Sequence, residues 1–108
     1  METIQNIQQL KSALTNRNQI LSVEDRHLSD VCRFISKIQY DGYPVHVFKA
    51  VTNDHKIHAA LSKDDVVEVN KAFAEDILSL NDYLEEHNME MEIVSDAPVI
   101  VSVLYNDN

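Results

Sequence analysis

The residues of this chain that could do chemistry are mostly carboxylates, and most of them lie in its second half. Glu68, Glu75 and Asp82 follow one another at intervals of seven residues. On a helix this spacing is close to two turns and would place the three side chains in a row, about 10.5 Å apart. The neighbouring acidic residues Asp64, Asp65, Asp76, Glu85, Glu86, Glu90 and Glu92 would widen and extend the row. These ten residues are the candidate partner-binding residues of the chain.

This acidic row has two interpretations. The polar face of any amphipathic helix is charged, and most such faces are simply solvated. Lys71, however, is the single Lys or Arg in residues 64–96, whereas an exposed helix commonly mixes both signs and pairs Glu with Lys four residues later. Like charges at that spacing weaken a helix. The missing counter-charge therefore favours a row that resembles a phosphate backbone to a basic groove on a partner protein.

No other chemistry-bearing motif is present. General acid–base catalysis needs two carboxyls held in different environments in a pocket, which a solvated row does not provide. With Gly42 as the one glycine, neither a phosphate-binding loop nor a G-x-S-x-G nucleophile motif can be written. His46, His55 and His58 lie near one predicted hairpin, but Cys32 is remote from them in sequence, so four converging zinc ligands are not expected. We expect no enzyme activity, no metal and no cofactor.

The charge of the chain is unevenly distributed. Twelve of the 18 acidic residues lie in residues 63–108, with only two of the nine Lys and Arg residues. A field of one sign repels phosphate and attracts a basic surface. We therefore expect a basic surface of a protein as the partner, and no direct binding to nucleic acid or to a membrane.

Length and composition indicate one compact domain spanning residues 1–108. A chain of 108 residues with 44% hydrophobic residues can bury enough surface to fold alone. No run approaches the roughly 20 apolar residues of a membrane span, and the first residues lack the features of a signal peptide. A cytoplasmic protein is the resulting expectation.

Apolar residues spaced at three and four predict three helices. The first covers about 2–15, and the second covers about 23–39, with Ser22 as its N-cap. The third begins at Ser62 and carries the longest apolar stripe, about 20 residues, on the face opposite the acidic row. The stripe consists of Val66, Val69, Phe73, Ile77, Leu80 and Leu84.

Four short runs have the composition or alternation of strands. They are Val45–Val51, Lys56–Leu61, Met89–Val94 and Val99–Tyr105. A turn at Asn53-Asp54 would place Phe48 opposite Ala59 and Ala50 opposite Ile57. The last run is almost continuously apolar, which predicts a central strand covered on both faces beneath the third helix. Replacing Phe73 of that helix with Ala should then lower the free energy of unfolding by about 3–5 kcal/mol. The predicted fold is α+β: a two-layer domain of order ααββαββ, with helices on a mostly antiparallel four-stranded sheet.

Two functions remain in view. The first is a small acidic protein-binding module, an inhibitor that blocks a basic, nucleic-acid-binding type of surface on a partner. Phage anti-defence inhibitors and toxin immunity proteins include such short acidic proteins, an analogy of size and charge only. The second is a non-catalytic structural or adaptor subunit, or a homodimer, that uses an apolar interface and is acidic only for solubility.

Overall fold

The computed structural model describes residues 2–41, 46–48, 56–60 and 66–106, with side chains described for 2–36 and 70–106. The elements along the chain are β1 Glu2–Ile4, α1 Ile7–Thr15, β2 Ile20–Val23, α2 Arg26–Asp41, β3 His46–Phe48, β4 Lys56–Ala60, β5 Val66–Asn70, α3 Lys71–Glu86, β6 Met89–Asp96 and β7 Val99–Tyr105. The α+β class is confirmed. The predicted order ααββαββ is wrong, because the observed order of these elements is βαβαβββαββ.

A four-stranded sheet, of order β1-β2-β7-β6, forms one layer. The β2–β7 and β7–β6 pairs are antiparallel, but β1 and β2 are parallel, so the sheet is mixed. The central position of β7 is confirmed. Its cover on both faces is not: Val101 is buried on one face, whereas Leu104 is 57% exposed on the other. Cis Ala97-Pro98 forms part of the connection between β6 and β7.

The first helix begins five residues later than predicted, because the chain starts with a strand. The Asn6 side chain caps α1 by accepting from the Gln9 amide (2.8 Å), and the Gln9 side chain accepts from the Gln5 amide (2.7 Å). This reciprocal cap fixes the start of the helix. Ile4, which fitted the helical spacing, is instead a buried residue of β1.

The second helix also has a different cap. Ser22 lies within β2, and the Asp25 carboxylate accepts from the Leu28 amide at 2.8 Å. Asp25 therefore satisfies an amide that has no partner inside the helix. The predicted cap at Ser22 is wrong because Leu21 and Val23 are needed as buried strand residues.

The third helix is shorter than predicted. Residues 66–70 form β5, and α3 starts at Lys71, where the Asn70 side chain accepts from the Phe73 amide at 2.8 Å. Three of the five residues in β5 are valines, whose branched Cβ favours strands. The prediction of one helix from Ser62 is therefore wrong, and Glu68 belongs to a strand.

Strands β3, β4 and β5 form a second, antiparallel sheet of that order. In its register Phe48 pairs with His58, one residue away from the predicted Phe48–Ala59 pair. The predicted turn at Asn53-Asp54 and the residue Ala50 lie outside the described residues. Helix α3 contacts both β4 and β5.

All three helices pack on the same face of the four-stranded sheet. Helix residues such as Leu10, Ile35 and Leu80 share one buried cluster with strand residues such as Leu21 and Val101. Phe73 lies at the margin of this cluster and is only partly buried. None of the described helices is long and apolar enough to cross a membrane. That residues 1–108 form a single domain stays a prediction.

Candidate functional site

Helix α3 keeps part of the predicted acidic row. Glu75, Asp82 and Glu86 are exposed, on the face opposite the buried Ile77 and Leu84. At 1.5 Å per residue, Glu75 and Asp82 lie about 10.5 Å apart along the axis, and Asp82 and Glu86 about 6 Å. We call these three residues the α3 row.

Two cations lie beside the α3 row. Lys71 Nζ is 3.7 Å from Glu75 Oε1, with both side chains well exposed. Lys11 of α1 donates from Nζ to Ser79 Oγ at 2.7 Å, and its amine is 5.7 Å from the centroid of the Tyr83 ring. Ser79 lies between Glu75 and Asp82 in sequence, so α1 supplies a positive charge close to the row. The sequence does not reveal this charge beside the row, because Lys11 and Ser79 are 68 residues apart.

Asp76, another predicted site residue, is engaged inside the protein. Its Oδ2 lies 2.6 Å from Nε2 of His27, which joins α3 to α2. The His27 ring also meets the Phe73 ring edge-on, with centroids 5.8 Å apart. Asp76 therefore contributes to packing between the helices rather than to a free acidic face.

The remaining predicted site residues are dispersed. Asp64 and Asp65 lie outside the described residues. Glu68 lies in β5, in register with His58 of β4, so the seven-residue helical spacing does not include it. Glu85 is exposed near the end of α3 and accepts a long hydrogen bond, 3.3 Å, from the buried Asn81 amide.

Glu90 and Glu92 lie on the other side of the molecule from the α3 row. Their neighbours Met89 and Met91 are buried against the helices, and the carboxylates alternate with them along β6. Because side chains alternate across a strand, both carboxylates belong to the face of the sheet that carries none of the described helices. The predicted single acidic surface is thus divided between two faces.

The sheet face away from the helices is largely apolar at its centre. Ile20 of β2 is 43% exposed and Leu104 of β7 is 57% exposed, and Ile100, also in β7, is partly buried. Ser102, between Ile100 and Leu104 in β7, pairs with Ile20 on one side and with Glu92 on the other. We call this surface the open face.

The open face was missed because β7 was predicted to be covered on both sides. Its apolar residues come from strands that are about 80 residues apart in the chain, and only their pairing brings them together. Val94, which is 54% exposed, lies at the irregular register between Ile93 and Ser95 of β6 beside this face. The serines in β2 and β7 were the one available signal that these strands have a solvated side.

The described residues contain no group of three or more His, Cys, Asp or Glu side chains that could hold a metal ion. His46 and His58 lie in the second sheet, and His55 lies outside the described residues. Cys32 is a fully buried thiol of α2. Burial raises its pKa to about 12, against a smaller lowering by the charge of Arg33, so the thiol stays protonated and unreactive near neutral pH.

Comparison of the chain with protein-family models, with curated proteins and with solved structures gave no match. The α3 row and the open face are therefore the features that can support a functional proposal.

Proposed function

We propose that this chain is a non-catalytic acidic protein that binds and blocks a basic surface on a partner protein. One observation carries the proposal: four exposed carboxylates of α3 and β6 have neither an ion pair nor a side-chain hydrogen bond with any described residue. They are Asp82, Glu86, Glu90 and Glu92. Of the other acidic residues described in this region, Glu75 and Asp96 pair with Lys71 and Arg33, Asp76 contacts His27, and Glu85 accepts a hydrogen bond from Asn81.

Unpaired carboxylates attract a positively charged surface more than they stabilise the fold of this chain. Self-repulsion among them opposes the compact state, and the net charge of the whole chain is −9. A partner with complementary Lys and Arg residues relieves this repulsion and is steered toward the acidic side during association. The excess of carboxylates thus fits recognition of a basic protein surface.

The blocked surface in this proposal is of the nucleic-acid-binding type, in analogy with phage anti-defence inhibitors and toxin immunity proteins. The analogy rests on size and charge. The α3 row spans residues 75–86, about 16 Å along the helix axis. It is shorter than the acidic row that was predicted for a helix beginning at Ser62. The proposal also includes a cytoplasmic location and no direct binding to DNA or RNA.

Capture of a partner protein by the immobilised chain, at low and at high salt, tests the proposal. The wild-type chain would be immobilised beside a variant neutralised at Asp82→Asn, Glu86→Asn, Glu90→Gln and Glu92→Gln, and beside a control variant with Glu24→Gln and Asp30→Asn in the first half. Because exposed charges are screened strongly at high ionic strength, we expect a specific partner to bind at about 0.05 M salt and to be released at about 0.5 M. The neutralised variant should fail to retain it, whereas the control should retain it. Equal retention by all three proteins at both salt concentrations contradicts the proposal.

The apolar centre of the open face favours the second function, an adaptor or homodimer. Ile20 and Leu104 are exposed on the same face, and exposed apolar patches are typical of protein interfaces. Sedimentation velocity at several concentrations distinguishes the two. A stable dimer that Leu104→Ser converts to monomer supports the homodimer, whereas a monomer at all concentrations favours a different protein as the partner.

A further inference from the structure

The open face combines an apolar centre with a carboxylate edge. On β7, Ile100 and Leu104 flank the smaller Ser102, and Ile20 of β2 pairs with that serine. Leu104 follows Ile100 by four positions, which is about 14 Å along a strand. We call Ile20, Ile100 and Leu104 the apolar ridge; it runs along β7 and β2, with the smaller side chain of Ser102 among them.

One long side of this ridge is negatively charged. Glu90 pairs with Leu104 and Glu92 pairs with Ser102, so both carboxylates lie one strand away, about 5 Å to the side. The opposite side carries hydroxyl groups, with Ser22 of β2 paired to Thr3 of β1. Among the described residues of β1, β2, β6 and β7 there is no Lys or Arg.

We infer that the open face is the docking surface for the partner, and that its occupant is an amphipathic helix whose apolar stripe is flanked on one side by Lys or Arg. This inference rests on the proposed function, because it specifies where and how the basic partner binds. A helix along β7 would place its apolar stripe on Ile100, Leu104 and Ile20. Its basic side would then face Glu90 and Glu92 on β6.

The helix length follows from the ridge. At 1.5 Å per residue, a helix needs about nine residues, two and a half turns, to cover 14 Å. Apolar residues at intervals of three and four along such a helix form one continuous stripe. As in other recognition of amphipathic helices, apolar anchors give affinity and flanking charges give orientation.

The carboxylates of the open face disfavour a second copy of the chain as its occupant. A two-fold dimer brings the same patch of each copy together, so the patch must complement itself. The described part of this face has two carboxylates and no cation, so a face-to-face dimer leaves them without a partner of opposite sign. Each copy also carries a net charge of −9. Charge complementarity therefore favours a basic partner over self-association.

A synthetic helix provides the test. The probe is a Leu/Lys peptide of about 18 residues whose leucines form one helical stripe, and the matched control peptide has Glu in place of every Lys. Backbone amide shifts of the isotope-labelled protein report where the probe binds. We expect the largest shifts in β7, β2 and β6 with the Leu/Lys peptide, and none with the Leu/Glu peptide.

Three double variants separate the open face from the α3 row, and two of them remove the same number of charges. Glu90→Gln with Glu92→Gln should weaken Leu/Lys binding about fivefold or more and reduce its salt dependence, and Leu104→Ser with Ile20→Ser should weaken it by a similar factor. Asp82→Asn with Glu86→Asn, on α3, removes the same number of charges and should weaken binding less than the Glu90 and Glu92 variant does, because these carboxylates lie away from the docked helix. An unchanged thermal transition of each variant would show that the fold is retained.

The outcomes separate this inference from the proposed function. If the α3 variant weakens binding and the two open-face variants do not, the inference is wrong and the proposed function stands. If the Leu/Glu peptide binds the open face as well as the Leu/Lys peptide does, the preference for a basic partner is wrong. A dimer that Leu104→Ser dissociates would overturn the choice of occupant.

Discussion

The hydroxyl of Tyr105, the last residue of β7, donates a hydrogen bond to the main-chain carbonyl of Asn18 at 2.6 Å. Asn18 lies in the turn between α1 and β2, 87 residues earlier in the chain. In the same turn, Arg17 has a positive φ of 59° and places its guanidinium carbon 4.6 Å from the centroid of the Tyr105 ring. The end of the sheet is thus joined to the turn that carries the chain from α1 into β2.

Tyr105 should titrate at a higher pH than a free tyrosine. Burial raises the pKa of its hydroxyl, the charge of Arg17 partly lowers it, and the charge of Tyr83 raises it again. Since the folded state holds this proton more tightly, the stabilisation is present below the unfolded pKa of about 10 and is lost as the pH rises through the folded pKa. Tyrosinate absorbance of wild type and Tyr105→Phe measures this. The variant should lack the delayed part of the wild-type titration, and identical alkaline limbs would contradict the assignment.

The buried thiol of Cys32 should make stability fall at alkaline pH. Its pKa is raised by burial to about 12, from 9.0 for an exposed thiol. Between these values the unfolded chain releases the proton and the folded chain keeps it, so the free energy of unfolding decreases by up to about 1.4 kcal/mol per pH unit. Urea titrations across this range should show a shallower decrease for Cys32→Ala. Parallel decreases in the two proteins would mean that other groups are responsible.

Asn88, between α3 and β6, should respond differently to two small substitutions. Its φ is 55°, in the left-handed region that costs other non-glycine residues about 1–2 kcal/mol. Asn88→Gly should therefore leave the stability equal or slightly higher, whereas Asn88→Ala should lower it by about 1 kcal/mol. The main-chain bond from the Asn106 amide to the Asn88 carbonyl, 2.9 Å, is available to both variants. Equal urea midpoints for the two variants would argue against a positive φ at this position.

The elements near the end of the chain were predictable because their pattern has one interpretation. The predicted strand Val99–Tyr105 has the observed bounds. The predicted strand Met89–Val94 is two residues shorter than the observed β6, and it was recognisable because buried Met and exposed Glu alternate along it. Residues 66–70 were different. Val66, Val69 and Phe73 fit the helical spacing, but β5 forms through pairing with β4. Pairing between separate segments cannot be predicted from the spacing of apolar residues within one segment.

The candidate site could be predicted in composition but not in arrangement. The excess of acidic residues was evident from the sequence, yet its division between the α3 row and the open face depends on where the chain reverses, at His87 and Asn88. Reversal there places the side chains of α3 and of Glu90 on different sides of the sheet. The apolar part of the open face depends on the pairing of β2 with β7, which a single sequence does not reveal.

The core of α3 provides the last prediction, in which two identical substitutions on one helix have different costs. Leu80 is fully buried in the central cluster, whereas Leu78 is only partly buried. Leu80→Ala removes buried apolar surface and leaves a cavity, so it should lower the free energy of unfolding by about 2–5 kcal/mol. Leu78→Ala should cost about 1 kcal/mol, because less surface is withdrawn from water at that position.

Phe73→Ala should fall between these two variants. The cost of about 3–5 kcal/mol predicted from the sequence assumes a fully buried ring. Phe73 instead lies at the margin of the core, where its ring meets Phe34 edge-on with centroids 6.0 Å apart. Partial burial reduces the expected cost to about 1–3 kcal/mol. Urea denaturation of the three variants gives the order directly. A Phe73→Ala protein less stable than Leu80→Ala would place the centre of the core at the beginning of α3, near the second sheet, rather than beneath β7.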